Sequence, residues 1–151
     1  MVWNQKQPGF EAAERAGRVA VPGPQVDVLA SQARWAWPAA LREIFRPRGV
    51  NLLVADDVEQ FVNIIRSRRI HTTIVDTDSE GSAGLATIRV IRRDYPRMPC
   101  ILLSSSTGQA LLGEALRLEV FSVIDKPVDM GILREQLDRL FVRRYSLNIF
   151  S

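Results

Sequence analysis

From Val26 onward, short apolar runs alternate with stretches in which apolar residues recur every three or four positions. Short apolar runs bounded by turn residues predict buried strands, and the longer spacing predicts amphipathic helices. The runs predict strands over residues 26–30, 50–55, 72–76, 100–103 and 120–124. The periodic stretches predict helices over residues 38–45, 58–65, 85–93, 110–116 and 128–141.

Five strand–helix units in succession predict an α/β fold, with a parallel sheet covered by helices on both faces. The length of 151 residues fits one domain. We expect this domain to occupy residues 26–142, preceded by a flexible extension over residues 1–25 and followed by a tail over residues 143–151. The extension is interrupted repeatedly by proline and glycine, which break regular structure.

The composition is that of an ordinary water-soluble domain, with 46% hydrophobic and 25% charged residues and a net charge of +3. Clusters such as Arg66, Arg68 and Arg69 fall at predicted helix ends, where cations meet the negative end of the helix dipole. Nucleic acid is therefore not an expected partner. The single cysteine, Cys100, lies within an apolar run, which predicts a buried thiol. With no signal-peptide core and no apolar run of membrane-spanning length, we expect a cytoplasmic protein and no membrane contact.

Polar residues of three kinds lie at the ends of the third, fourth and fifth predicted strands. Asp76 ends the third strand, Ser104 and Ser105 end the fourth, and Lys126 follows the fifth, with Pro127 after it. In open parallel sheets the functional crevice lies at the carboxyl ends of the strands. A carboxylate nucleophile beside a hydroxyl and an ammonium group that bind phosphoryl oxygens suits the formation of an acyl phosphate.

These residues resemble the phosphoacceptor (Asp76), the switch hydroxyl (Ser104) and the Lys-Pro pair (Lys126 and Pro127) of response-regulator receiver domains. The resemblance covers residues 26–141, and the loop from Asp76 to Gly84 has the length typical of the family. It implies a flavodoxin-like three-layer α/β/α fold, with five parallel strands in the order 2-1-3-4-5. It also implies two-component signalling rather than an enzyme's turnover.

A pair of acidic residues, Asp56 and Asp57, is placed where it imitates the metal-binding pair of that family. The interval between Asp57 and Asp76 has room for only one helix and one strand, whereas the family has two helices and a strand between the two sites. We therefore expect Asp57 to be the N-cap of the second helix. The first strand is then Val26–Ala30.

The exit of that first strand carries Ala30, Ser31 and Gln32 where the family has its acidic pair. Mg²⁺ prefers carboxylate oxygens. We therefore expect no metal site and no cofactor. The open alternative is that Asp78, where the family supplies a backbone carbonyl, partly restores Mg²⁺ binding.

Further departures from the family concern the signalling machinery. Glu80 replaces a frequent loop proline, and Val123 occupies the position of the aromatic switch residue. Trp35 and Trp37 follow the missing acids, either as core residues or as a cover over the empty metal site. His71, the only histidine, has no ligand partner nearby and is not an expected metal ligand.

Three functions are open to such a chain. The first is an atypical receiver that acts by protein–protein contact with weak or no Mg²⁺-dependent phosphorylation. The second is a conventional receiver phosphorylated on Asp76 by a histidine kinase. The third is a flavodoxin-like domain that binds a small ligand, although no glycine-rich phosphate loop is present.

The expected partner is a protein, either a histidine kinase or a downstream signalling protein. A homodimer through the fourth helix, fifth strand and fifth helix is also predicted. That face offers charged residues for complementary contacts, namely Arg117, Glu119, Glu135, Asp138 and Arg139. In the crevice, we expect an ion pair between Asp76 and Lys126, with Ser104 close by, that holds the neighbouring loops in one arrangement.

Overall fold

The computed structural model describes residues 26–31, 37–77, 83–105 and 109–150. The strands are β1 Val26–Ser31, β2 Val50–Ala55, β3 Thr72–Asp76, β4 Cys100–Ser104 and β5 Ser122–Asp125. The helices are α1 Trp37–Phe45, α2 Val58–Ser67, α3 Ala83–Asp94, α4 Gln109–Arg117 and α5 Met130–Tyr145, with a 3₁₀ turn at Arg46–Arg48. Of these helices, none has both the length and the apolar character needed to cross a membrane.

All neighbouring strands are parallel, and their order in the sheet is β2-β1-β3-β4-β5. This confirms the predicted fold class and strand order. β1 pairs with β2 on one side, Ala30 opposite Val54, and with β3 on the other, Ala30 opposite Ile74. The first strand is therefore Val26–Ser31 and β2 is the edge strand, as the spacing of Asp57 and Asp76 predicted.

The core lies in two layers because successive side chains of a strand point to opposite faces of the sheet. Val28 and Ala30 pack with α1 and α5 on one face, while Leu29 packs with α2, α3 and α4 on the other. Central strands β3 and β4 are buried along their whole length, as expected for a sheet with helices on both sides. Cys100 is fully buried in the second layer, as predicted.

The last helix is longer than the sequence pattern predicted, ending at Tyr145 rather than Phe141. No proline or glycine interrupts residues 141–145, and arginines are favourable at a helix C-terminus. Ser146 then ends the helix in a left-handed conformation, with φ 55°. The boundary expected between domain and tail, at residues 142 and 143, falls inside α5. Strand β5 is also displaced, to Ser122–Asp125 from the expected residues 120–124.

The segment after α5 returns to the domain and packs against the layer formed with α1 and α5. Leu147, Ile149 and Phe150 contact that layer. The Phe150 ring stacks on Phe45 with 6.0 Å between centroids. The guanidinium groups of Arg48 and Arg134 lie 5.4 Å and 5.3 Å from the centre of the Phe150 ring, within cation–π range.

Candidate functional site

The polar residues predicted for the crevice come together at the carboxyl edge of the sheet. Asp76 and Ser104 are the last residues of β3 and β4, and Lys126 directly follows β5. Asp76 is opposite Leu103, and Ser104 is opposite Asp125 in the strand register. The parallel pairing therefore brings three strand exits, from distant parts of the chain, to one place.

Asp76 and Lys126 form a close ion pair. The Lys126 Nζ lies 3.0 Å from Asp76 Oδ1 and 2.8 Å from Oδ2, so the ammonium group donates to both carboxylate oxygens. Only 2% of the Asp76 side chain is exposed, against 16% of the Lys126 side chain. The predicted ion pair is present, and its carboxylate partner is almost completely removed from solvent.

Backbone hydrogen bonds hold the strand exits around this pair. The Lys126 N–H donates to the Ser104 carbonyl at 3.0 Å, which fixes the start of the loop after β5. The N–H and the hydroxyl of Thr77 donate to the Leu103 carbonyl at 2.9 Å and 3.2 Å. Thr77 was not singled out in the sequence. Its position next to Asp76 and its burial make it an anchor of the loop that follows β3.

Ser31, at the exit of β1, has a specific role that the sequence did not reveal. Its hydroxyl oxygen accepts a hydrogen bond of 2.8 Å from the backbone N–H of Asp76. At a position where the family supplies an acid, this chain thus has a neutral group that satisfies a backbone donor of β3. The Ser31 hydroxyl therefore links β1 to Asp76 at the end of β3.

Asp57 is a helix cap, as predicted, and lies outside the ion pair. Its side chain accepts a hydrogen bond of 2.7 Å from the Gln60 N–H at the start of α2. The Gln60 side chain in turn accepts from the Asp56 N–H. These reciprocal bonds resemble a capping box. The acidic pair that follows β2 therefore stabilises a helix end.

Within the part of the chain that the structure describes, no group of three or more His, Cys, Asp or Glu side chains is placed to hold a metal ion. Four residues that bear on a compensating metal site lie outside the described residues, namely Gln32, Asp78, Glu80 and Trp35. The Trp37 side chain also lies outside them. Val123, at the aromatic switch position, is half-buried and packs against the layer formed with α2, α3 and α4.

The side chains of His71 and Cys100 lie away from the crevice. His71 precedes β3 at the opposite edge of the sheet, where its Nδ1 accepts from the Asp27 N–H at 3.2 Å. Burial, together with the charge of Arg69, lowers the pKa of His71 below its usual value. Burial raises the pKa of the Cys100 thiol to about 11, which keeps it protonated and unreactive.

The face formed by α4, β5 and α5 carries exposed apolar residues beside its charged ones. Leu112, Leu116 and Ile132 are exposed, and Leu116 is exposed over 79% of its surface. Part of the charge on this face is paired within the chain, since Arg117 contacts Glu114 at 3.5 Å and Arg139 contacts Glu135 at 3.4 Å. The face therefore combines apolar area with exposed ion pairs.

Comparison with known proteins places these features in a family. Residues 36–138 match the model of the response regulator receiver domain. The chain is 20% identical over 123 residues to the transcriptional regulatory protein ZraR of Escherichia coli K12, covering 82% of this chain and 28% of that protein. It is 29% identical over 86 residues to an NtrX-like response regulator of Rickettsia bellii, covering 56% of this chain and 18% of that protein.

Solved structures agree with this match. The fold superposes with a TM-score of 0.73 on the signal receiver domain of an HD domain-containing protein of Pseudomonas fluorescens Pf-5, at 21% identity over 82% of this chain and all of that chain. A response regulator receiver protein of Pseudomonas putida gives a TM-score of 0.69 at 26% identity, covering 78% and 98% of the two chains. The chain spans about a quarter or less of the length of these curated relatives. It belongs to the response regulator receiver domain family.

Proposed function

We propose that this receiver domain is atypical: it signals by protein–protein contact from one fixed arrangement, with weak or no Mg²⁺-dependent phosphorylation of Asp76. The observation that carries the proposal is the ion pair between the buried Asp76 carboxylate and Lys126. Because both carboxylate oxygens accept from the Lys126 ammonium group, the pair holds the exits of β3 and β5 together in the unphosphorylated chain.

The donor set beside Asp76 supports the same proposal. Mg²⁺ takes near-octahedral oxygen coordination and is usually held by one or two carboxylates together with waters and phosphate oxygens. Among the described residues, the Asp76 carboxylate is paired with Lys126, and the β1 exit contributes the neutral Ser31 hydroxyl, which accepts from the Asp76 N–H. These donors fit the ion poorly, and we assign it no part in the function of the domain.

A conventional receiver is the second candidate, favoured by the retention of Asp76, Ser104 and Lys126 at their strand exits. The two candidates differ in one reaction. The protein should be incubated with a small phosphodonor and Mg²⁺, and the product followed by intact mass, with Asp76→Asn as the control. We expect most of the wild-type chain to remain unmodified. A stable adduct that is absent from Asp76→Asn would establish the conventional receiver instead.

We propose that the partner is a protein of the same signalling system, either a histidine kinase or a downstream protein. The face of α4, β5 and α5 also suits a homodimer, because exposed Leu112, Leu116 and Ile132 add apolar contact to the charged residues. Surface ion pairs alone contribute little. Light scattering at high protein concentration should show a dimer that Leu116→Glu dissociates. A monomer at every concentration would remove the dimer and leave a different protein as the partner.

A further inference from the structure

Arginines from three parts of the chain surround one end of the sheet, opposite the Asp76 crevice. In a βα fold every helix C-terminus lies at the amino edge of the sheet, so basic residues that end separate helices become neighbours. Five exposed arginines, called the basic rim below, lie at or just after the ends of α2, α3 and α5, and one of them, Arg97, lines a cavity there: Arg66, Arg69, Arg93, Arg97 and Arg144.

Contacts within the chain join two pairs of these arginines. Arg66 and Arg93 approach the same carboxylate, Asp94, at 3.9 Å and 3.0 Å. Arg144 donates to the Arg97 carbonyl at 3.1 Å, which brings the end of α5 to the loop before β4. Asp94 is thus shared between two guanidinium groups, and the rim keeps a large excess of positive charge.

Inside the rim is a cavity of about 410 Å³ with aromatic and apolar walls. Tyr95, Pro96, Met98 and Tyr145 line it, with Asp94, Arg97 and Pro99. Tyr145 is held in place, because its hydroxyl donates to the His71 carbonyl and its ring meets the His71 ring edge-on at 5.3 Å. The volume falls in the range of roughly 300–1,000 Å³ that is usual for ligand pockets.

We propose that this end of the domain binds single-stranded nucleic acid, with backbone phosphates on the basic rim and a base in the cavity between Tyr95 and Tyr145. Grooves of positive charge that contain aromatic side chains are the common solution for single strands. The charge is carried by arginine, whose planar guanidinium group binds phosphate through two hydrogen bonds. In the whole chain lysine occurs only at Lys6 and Lys126.

The helix dipole explains why arginines end these helices, but it does not require an open aromatic cavity among them. This proposal departs from the expectation drawn from the sequence, in which the position of the arginine clusters at helix ends argued against nucleic acid. It is independent of the proposed function, because the rim and the Asp76 crevice lie at opposite edges of the sheet.

The test is fluorescence anisotropy with labelled oligo(U) and oligo(dT) of about 12 nucleotides, a length within the usual footprint of single-strand binders. We expect dissociation constants on the order of micromolar at low salt, weakening as salt rises, as counterion release requires. The double substitution Arg69→Glu and Arg97→Glu should weaken binding at least about tenfold and flatten the salt dependence, with a slope change of roughly 0.7 for each lost phosphate contact.

Arg139→Glu is the control for each single substitution, Arg69→Glu or Arg97→Glu, since it makes the same change of charge at an exposed arginine on the α4–β5–α5 face. It should leave binding unchanged. Tyr95→Leu keeps an apolar side chain at the cavity and should weaken binding at least about fivefold through lost stacking. Circular dichroism verifies the fold of each variant, and the arginine variants decide the question if Tyr95→Leu does not fold.

Four results would overturn the proposal. The first is no binding of either oligonucleotide at low salt with protein at about 100 µM, the weak end of the non-specific range. The second is an equal loss in Arg139→Glu, which would indicate only net charge. The third is no change in the Arg69 and Arg97 double variant. The fourth is tighter binding to phosphatidylserine vesicles than to the oligonucleotides, which would make an anionic membrane surface the partner.

Discussion

The ion pair between Asp76 and Lys126 should show strong energetic coupling. With nitrogen–oxygen distances of 2.8 Å and 3.0 Å, the gross attraction is about 6 kcal/mol at an effective dielectric constant of roughly 20. Desolvation of the two charges opposes this by a similar amount. The net contribution of the intact pair is therefore small, whereas the loss of one partner leaves an uncompensated charge.

The two single substitutions should differ because the two side chains differ in exposure. Lys126→Ala leaves a carboxylate with 2% exposure and should lower the free energy of unfolding by about 3 kcal/mol. Asp76→Ala leaves an ammonium group that is 16% exposed on a flexible stem, so we expect a loss of about 2 kcal/mol. The double variant should lose about 1 to 2 kcal/mol, less than Lys126→Ala alone, which gives a coupling of roughly 3 to 4 kcal/mol.

Urea denaturation followed by circular dichroism measures all four chains of this double-mutant cycle. The exposed pair Arg89 and Glu114, at 2.7 Å, is the internal control and should couple much more weakly. If the losses at Asp76 and Lys126 add to within about 0.5 kcal/mol, the two residues are not coupled. If Asp76→Ala also leaves partner binding unchanged, the fixed-state proposal fails.

Three further perturbations test other contacts of the fold. Asp57→Ala removes the cap of α2 and should lower the free energy of unfolding by about 1 kcal/mol in urea, whereas capping predicts less than half of that for Asp56→Ala. Arg92→Met should cost about 2 to 3 kcal/mol, because its guanidinium group donates to the carbonyls of residues 96, 98, 118 and 119. Exposed Arg93→Met should change stability far less in the same measurement. The lowered pKa of His71 means that the unfolded chain binds its proton first, so stability should decrease as pH falls below about 6.5. Thermal denaturation across pH should show this slope, and an unchanged slope in His71→Asn would assign it to another group.

The strand order and the crevice were predictable because they depend on patterns local to each strand. The spacing between Asp57 and Asp76 was enough to exclude β2 as the central strand, and the pairing of β1 with β3 agrees. The meeting of Asp76 and Lys126 followed from the rule that parallel strands share a carboxyl edge. The cap at Asp57 was likewise visible as a short-range signal.

Features that depend on contacts across the fold were not predictable. Nothing in the sequence distinguishes Ser31 from any other serine, and its hydrogen bond to the Asp76 N–H exists only once β1 and β3 lie side by side. The end of α5 was placed too early because the two arginines after Val142 interrupt the apolar pattern, although Tyr145 follows Phe141 by one helical turn. The contacts that fix Tyr145 on the sheet are with His71, far away in the chain. The basic rim was missed for the same reason.

The packing of Phe150 affects how the domain can be joined to anything else. Because residues 147–150 turn back and the ring of Phe150 is seated on Phe45 between Arg48 and Arg134, the backbone leaves the domain beside α1. A reporter fused after residue 150 would therefore be positioned by the α1 surface rather than by the axis of α5. Attachment at residue 142, near the end of the family match, would instead cut α5 and leave the Phe45 ring without its stacking partner.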